Sequence, residues 1–95
     1  MSRQDYVGML AISRAGHDRD EVYVIVGEEG EYIWLADGRC RSISKPKKKK
    51  KKHIQLIKYF SDDALSQGLQ NKEECLDPKI RQVLKSYRKS LQKKQ

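Results

Sequence analysis

Two apolar runs separated by a five-residue break constrain this chain most: VYVIV at 22–26, GEEGE at 27–31 and YIWLA at 32–36. Five consecutive β-branched or aromatic residues favour a pleated strand. A second strand-like run after five residues with two glycines is the pattern of a β-hairpin. The same pattern continues on both sides. YVGMLAIS at 6–13 reads as a first strand, and RAGHDRDE at 14–21 as a polar turn around Gly16. Asp37-Gly38 marks another turn, RCRSIS at 39–44 alternates as a short strand able to turn Cys40 to the core, and HIQLI at 53–57 resumes the apolar pattern. Five short strands with tight turns and no intervening helix predict a small antiparallel barrel, whose closure removes exposed edges.

The rest of the chain has a different character. Residues 61–76 contain the acidic pairs Asp62-Asp63 and Glu73-Glu74, with Ala64, Leu65, Leu69 and Leu76 as apolar anchors. A short helix or a loop fits them. From 77 onward, Asp77 suits an N-cap and Pro78 a first helical position. Ile80, Val83, Leu84, Tyr87 and Leu91 then recur at helical spacing, with Lys79, Arg81, Lys85, Arg88 and Lys89 on the other faces. The expected organisation is a barrel over 1–58, an acidic linker or short helix over 59–77, and a basic amphipathic helix over 78–95. That helix could dock on the barrel, pair with a partner or lie against nucleic acid.

Charge is distributed unevenly. The net value of +8 divides into −5 for residues 1–38, +10 for 39–61, −4 for 62–77 and +7 for 78–95. A basic stripe inside an acidic chain is the electrostatic footprint of a phosphate-rich partner. Its centre is KKKKKK at 47–52, placed between strand-like segments. An extended six-residue run spans up to about 20 Å and projects ammonium groups to both sides. Lysine supplies charge without base-specific geometry, so a loop of this kind positions nucleic acid more than it reads it. Arg39 and Arg41 alternate toward one outer face on the strand leading into the loop, where a guanidinium can hold a phosphate bidentately.

Other residues have two readings each. Tyr6, Tyr23, Tyr32 and Trp34 suit base stacking, but the scarcity of large apolar groups favours core positions. Tyr32 and Trp34 share a face by alternation, so they go to core or surface together. His53 either contacts RNA or begins the last strand, and His17 reads as an exposed turn residue. Asp18, Asp20 and Glu21 read as a solvated acidic turn without remote metal-ligand partners. Cys40 and Cys75, 35 residues apart, match no disulfide framework and, with the two histidines, no zinc spacing. No phosphate loop, nucleophile triad or paired catalytic carboxylates occur, so neither an enzyme nor a cofactor is expected. No apolar run reaches the roughly 18–20 residues of a membrane span, and residues 1–16 lack the apolar core of a signal peptide. A soluble cytoplasmic monomer is the expectation.

Val7-Gly8, the Ala15-Gly16 turn, VYVIV, the acidic turn before YIWLADG, and a basic cluster ending in Lys52-His53-Ile54 follow in a specific order. In that order residues 6–58 resemble the KOW family, in particular the KOW domains of archaeal and eukaryotic large-subunit ribosomal proteins of the L-fourteen-e kind. The resemblance implies an SH3-like five-stranded barrel that binds RNA, often ribosomal RNA. One departure stands: Asp20 occupies the position of the family's second turn glycine.

Together these features predict an RNA-binding protein, ribosomal or ribosome-associated, whose partners are ribosomal RNA and ribosomal proteins, with no membrane and no small-molecule substrate. The expected RNA-binding residues are Arg39, Arg41, Lys45, Lys47, Lys48, Lys49, Lys50, Lys51, Lys52, His53 and Lys58. Secondary contacts are expected from Arg14, His17, Arg81, Lys85 and Arg88. The alternative is a protein-interaction or chromatin-type barrel whose lysines act as a nuclear import signal.

Overall fold

The computed structural model describes residues 6–57, 65, 68, 69 and 76–92. The expectations for Lys58, for Cys75, for most of the 59–77 linker and for residues 93–95 lie outside that set. Five strands and one helix make up the described fold: β1 (Leu10–Ser13), β2 (Val22–Glu29), β3 (Tyr32–Ala36), β4 (Lys47–Lys50), β5 (Ile54–Ile57) and α1 (Asp77–Gln92). A 3-10 turn, Lys51–His53, separates β4 from β5. All pairings are antiparallel, in the order β4-β3-β2-β1-β5.

Two consecutive strands, β4 and β5, therefore lie at opposite ends of the sheet. In a flat sheet, four spacings of about 4.8 Å would hold them roughly 19 Å apart. Three residues of 3-10 turn span only about 6 Å. The short connection therefore requires the sheet to curl.

Alternation sorts the apolar side chains onto the two faces. Ala11, Tyr23, Ile25, Ile33 and Leu35 pack on the inner face, with Ile54 and Leu56 partly buried against them. Leu10, Val24, Ala36 and Ile57 point outward and are covered by Ile80, Val83, Leu84 and Tyr87 of α1, together with Leu65, Leu69 and Leu76. The basic helix therefore docks on its own sheet, and of its five expected anchors only Leu91 stays exposed.

Several strand assignments differ from expectation. The first strand begins at Leu10 rather than Tyr6, because residues 6–8 form a turn with Gly8 at φ 94°. The second runs on to Glu29, leaving Gly30 and Glu31 as a tight turn with Gly30 at φ 58°. RCRSIS is no strand. Asp37 Oδ1 accepts the backbone N–H groups of Arg39 and Arg41 at 2.9 and 3.0 Å, and the N–H groups of Asp37 and Gly38 both donate to the Arg41 carbonyl. These bonds close a compact turn in place of a ladder, and Cys40 is exposed on it rather than facing the core. The fourth strand is the lysine run itself, expected as a loop.

The helix begins at Asp77, one residue before expectation, and the Leu76 carbonyl accepts the first helical bond from Ile80 N–H at 2.9 Å. Asp77 Oδ1 accepts Ile43 N–H at 2.8 Å, which ties the helix start to the 37–46 segment. Gly38 sits at this junction with φ 78°, and a Cβ there would lie 2.5 Å from the Asp77 carbonyl oxygen and 2.8 Å from Arg81 Cγ. Gly38→Ala is expected to destabilise the protein by about 2–3 kcal/mol, combining left-handed strain with a backbone clash. Gly30→Ala, with nothing within 4 Å of its Cβ, is expected to cost about 1 kcal/mol from strain alone. Thermal unfolding of the two variants measures the difference.

Candidate nucleic-acid interface

Strand β4 pairs with β3 in the register Tyr32↔Lys50, Ile33↔Lys49, Trp34↔Lys48 and Leu35↔Lys47. Cross-strand partners share a face, so the lysines divide by parity. Lys47 and Lys49 follow Ile33 and Leu35 to the inner face. Lys48 and Lys50 follow Tyr32 and Trp34 to the outer one.

The inner lysines are bound within the fold. Lys49 Nζ donates to Asp18 Oδ1 at 2.8 Å and to the Ala15 carbonyl at 2.8 Å, while Lys47 Nζ donates to Asp18 Oδ2 at 2.5 Å. Buried Ser13 donates its hydroxyl to Asp18 Oδ1 at 2.8 Å, and the Tyr23 hydroxyl lies 3.5 Å from Oδ2. Lys51 completes the series with an ion pair to Glu28 Oε2, while Glu28 Oε1 accepts Tyr6 N–H at 3.1 Å. Burial alone would raise the Asp18 pKa, but hydrogen bonds from Lys47, Lys49 and Ser13 outweigh it and hold the carboxyl well below the usual range. Glu28 is likewise lowered, its burial outweighed by the bonds from Lys51 and the Tyr6 amide. Burial first, and then the charges of Asp18, Asp37 and Glu21, push Tyr23 up to about 12.

Asp18 is thus a buried structural centre, a correction to its expected place in a solvated turn. The other half of that expectation fares differently: Asp20 and Glu21 are exposed. Asp20 has a left-handed backbone, φ 73°, at the position where the resemblance expects glycine.

The outer lysines lie over aromatic rings. Lys48 Nζ sits 4.4 Å from the Tyr32 ring centroid and 5.7 Å from that of Trp34, and Lys50 Nζ is 5.9 Å from Tyr32. Tyr32 and Trp34 are half-buried and share the outer face, so the core reading holds for Tyr23 and fails for this pair. A register shift in β2 between Ile25 and Gly27 sets Gly27 opposite Trp34. The indole ring packs 3.6 Å from where a Gly27 Cβ would lie, on bare backbone. Along β3 the helix covers Ala36 but stops short of the two rings. The result is a strip of alternating aromatic and cationic groups, open beyond the edge of α1.

The remaining expected residues fall into separate places. Lys45 and Lys52 are exposed, and His53 is half-buried, its carbonyl accepting Arg14 N–H at 2.8 Å. Arg14 and His17 are exposed in the β1–β2 connection, Arg14 with an Asp20 carboxylate at 3.7 Å. Arg39, Arg81, Lys85 and Arg88 line one groove of about 640 Å³ between α1 and the 37–41 turn, and exposed Arg41 lies outside its lining. The lysine run therefore does not present six equivalent cations to a ligand. Asp18, the residue sequence reasoning missed, had no local signal, since Lys47 and Lys49 lie 29 and 31 residues further along the chain.

No protein-family model matches the chain, and no curated protein matches it. No described helix is long and apolar enough to cross a membrane.

Asp18→Asn leaves two ammonium groups around a neutral amide, and an unfolding-energy loss of about 3 kcal/mol is expected, the low end for breaking a buried pair. The pKa shifts give the wild type a defined pH profile. A depressed Asp18 pKa adds stability above its unfolded value near 3.9, lost as pH falls from about 5 into the acid range. A raised Tyr23 pKa adds stability that is complete below pH 10 and lost as pH rises toward 12. Denaturant titrations across pH should show Asp18→Asn flattening the acid limb and Tyr23→Phe the alkaline limb.

Proposed function

We propose that this chain is an RNA-binding protein, ribosomal or ribosome-associated, built on an SH3-like barrel of KOW type. The observation that carries the reading is the outer strip of β3 and β4, where Tyr32 and Trp34 alternate with Lys48 and Lys50 on one open face. Aromatic rings accept stacked bases of any identity, and the neighbouring ammonium groups meet the phosphates between them. Lysines already near the rings can swing aside, since a cation over an exposed ring is held by only about 0.5–1 kcal/mol.

The curl of the sheet and the strand order support the barrel type. Asp20 adds to the family resemblance, because the backbone there takes the conformation that a glycine adopts most easily. The import-signal alternative fares less well. Lys47, Lys49 and Lys51 are hydrogen-bonded inside the fold and do not form an accessible extended peptide.

Quenching of Trp34, the sole tryptophan, by a single-stranded ribooligonucleotide tests the reading. With Lys48, Lys50 and Lys52 as the cations of the 47–52 run that have no carboxylate partner among the described residues, the expected log–log salt slope is about −2, from a coefficient of about 0.7 per phosphate. Replacing Lys48 and Lys50 by Gln should lower affinity and shallow the slope by about 1.4. Trp34→Ala should weaken binding by about 1–3 kcal/mol. Replacing Lys47 and Lys49 by Gln should instead lower stability and leave the slope unchanged. Equal losses from both lysine pairs, or no binding at low salt, would sink the reading. Co-sedimentation with ribosomal subunits at low salt, reversed at high salt, tests the ribosomal assignment.

A further inference from the structure

A second cationic surface lies away from the lysine strip. Arg81, Lys85 and Arg88 form one stripe along α1, at spacings of four and three residues, and Arg39 faces them from the 37–41 turn. None of the four makes an ion pair among the described residues, whereas Lys47, Lys49 and Lys51 each have a carboxylate. Like charges at these spacings on a helix repel one another, so the stripe carries a cost that an external anion relieves.

The groove is a formed feature. Its floor includes Leu84, 2% exposed, and its two sides are held together where Arg81 Nη1 donates to the Gly38 carbonyl at 2.5 Å and Asp77 receives Ile43 N–H. Its volume, about 640 Å³, falls within the range of small-molecule sites and is ample for one nucleotide unit. Glu21 and Asp37 line it as well, at the strand ends. Guanidinium groups suit the oxygens of a phosphate, and carboxylates suit hydroxyl or amino donors. A ligand that satisfies both carries a phosphate beside a hydroxyl-bearing ring.

We propose that the groove between α1 and the 37–41 turn is a ribonucleotide site, with Arg39, Lys85 and Arg88 on the phosphate and Glu21 toward the ribose hydroxyls. Arg81, held by Gly38, acts as the fixed cation at one end. The occupant is either a free nucleotide or a unit of the RNA strand proposed above, and the assignment of the groove does not depend on the aromatic strip.

Arginine Nε–H signals in NMR titrations of the full chain separate the cases, using inorganic phosphate, a nucleoside monophosphate, a single-stranded ribooligonucleotide and a polyglutamate peptide as probes. The monophosphate is expected to shift the Arg39, Arg81 and Arg88 signals and to bind more tightly than inorganic phosphate. Lys85→Gln with Arg88→Gln, both at exposed positions, should weaken it at least tenfold with thermal stability kept. Matching shifts with the oligonucleotide identify the RNA strand as occupant, and shifts with the monophosphate alone identify a free nucleotide. The proposal is overturned if neither nucleotide probe moves these signals, if the double variant binds the monophosphate like the wild type, or if only polyglutamate binds. A chain with Trp34→Ala should keep the monophosphate response, so loss of oligonucleotide binding at the strip leaves the groove assignment standing.

Discussion

The carboxylate of Asp18 is the interaction on which the lysine strand depends. Four consecutive lysines have little intrinsic tendency to form a strand, and their mutual repulsion opposes ordering. Here Lys47 and Lys49 converge on one buried carboxylate that also holds Ser13 and approaches Tyr23. Removing two cations from water is costly, and a buried pair is favourable only when hydrogen bonds satisfy the remaining groups. That condition is met: among the described residues no buried side-chain polar atom lacks a partner. Because Asp18 lies in the β1–β2 connection and the lysines on the edge strand β4, the same contact draws together regions that a flat sheet would keep apart.

Once β4 is a strand, parity assigns every lysine a role. Inward-pointing charge is a known defence of exposed sheet edges, since a neighbouring chain that paired there would disturb a buried charge. The odd lysines serve that purpose, and Glu28 continues it for Lys51 beyond the strand end. The register shift in β2 matters to both faces at once. It turns Glu28 inward, opposite Ile33, and leaves Gly27 outward beneath the Trp34 ring. One extra residue therefore supplies an internal counter-ion on one side and a flat bed for an aromatic on the other.

Much of this arrangement was legible in the sequence. The hairpin, the first and last strands and the helix with its apolar face follow from local periodicity, which depends only on near neighbours. RCRSIS and the lysine run were exchanged for a physical reason. RCRSIS alternates like a strand, but the preceding Asp37 can bond its own downstream amides, and that local competition defeats the ladder. The lysines look like a solvated loop because their stabilising partners, Asp18 and the β3 aromatics, are remote along the chain. For Tyr32 and Trp34 the sequence fixes only that they share a face. How far that face is covered depends on the reach of α1, which packs over Ala36, a tertiary fact that no local pattern contains.

The choice of cation follows the same division. Two ammonium groups fit on one carboxylate because each is a compact charge on a flexible stem, with three donors that can turn to meet different acceptors. Lys49 uses this freedom to reach both Asp18 and the Ala15 carbonyl. A planar guanidinium brings a larger, rigid fork whose donors are fixed in one plane. On the groove side of α1 the preference reverses, and three of the four cations are arginines. There Arg81 turns its guanidinium to the Gly38 carbonyl, while Lys85 and Arg88 are exposed. Lysine thus stands where two cations share one carboxylate, while the groove beside α1 is lined by three arginines and Lys85.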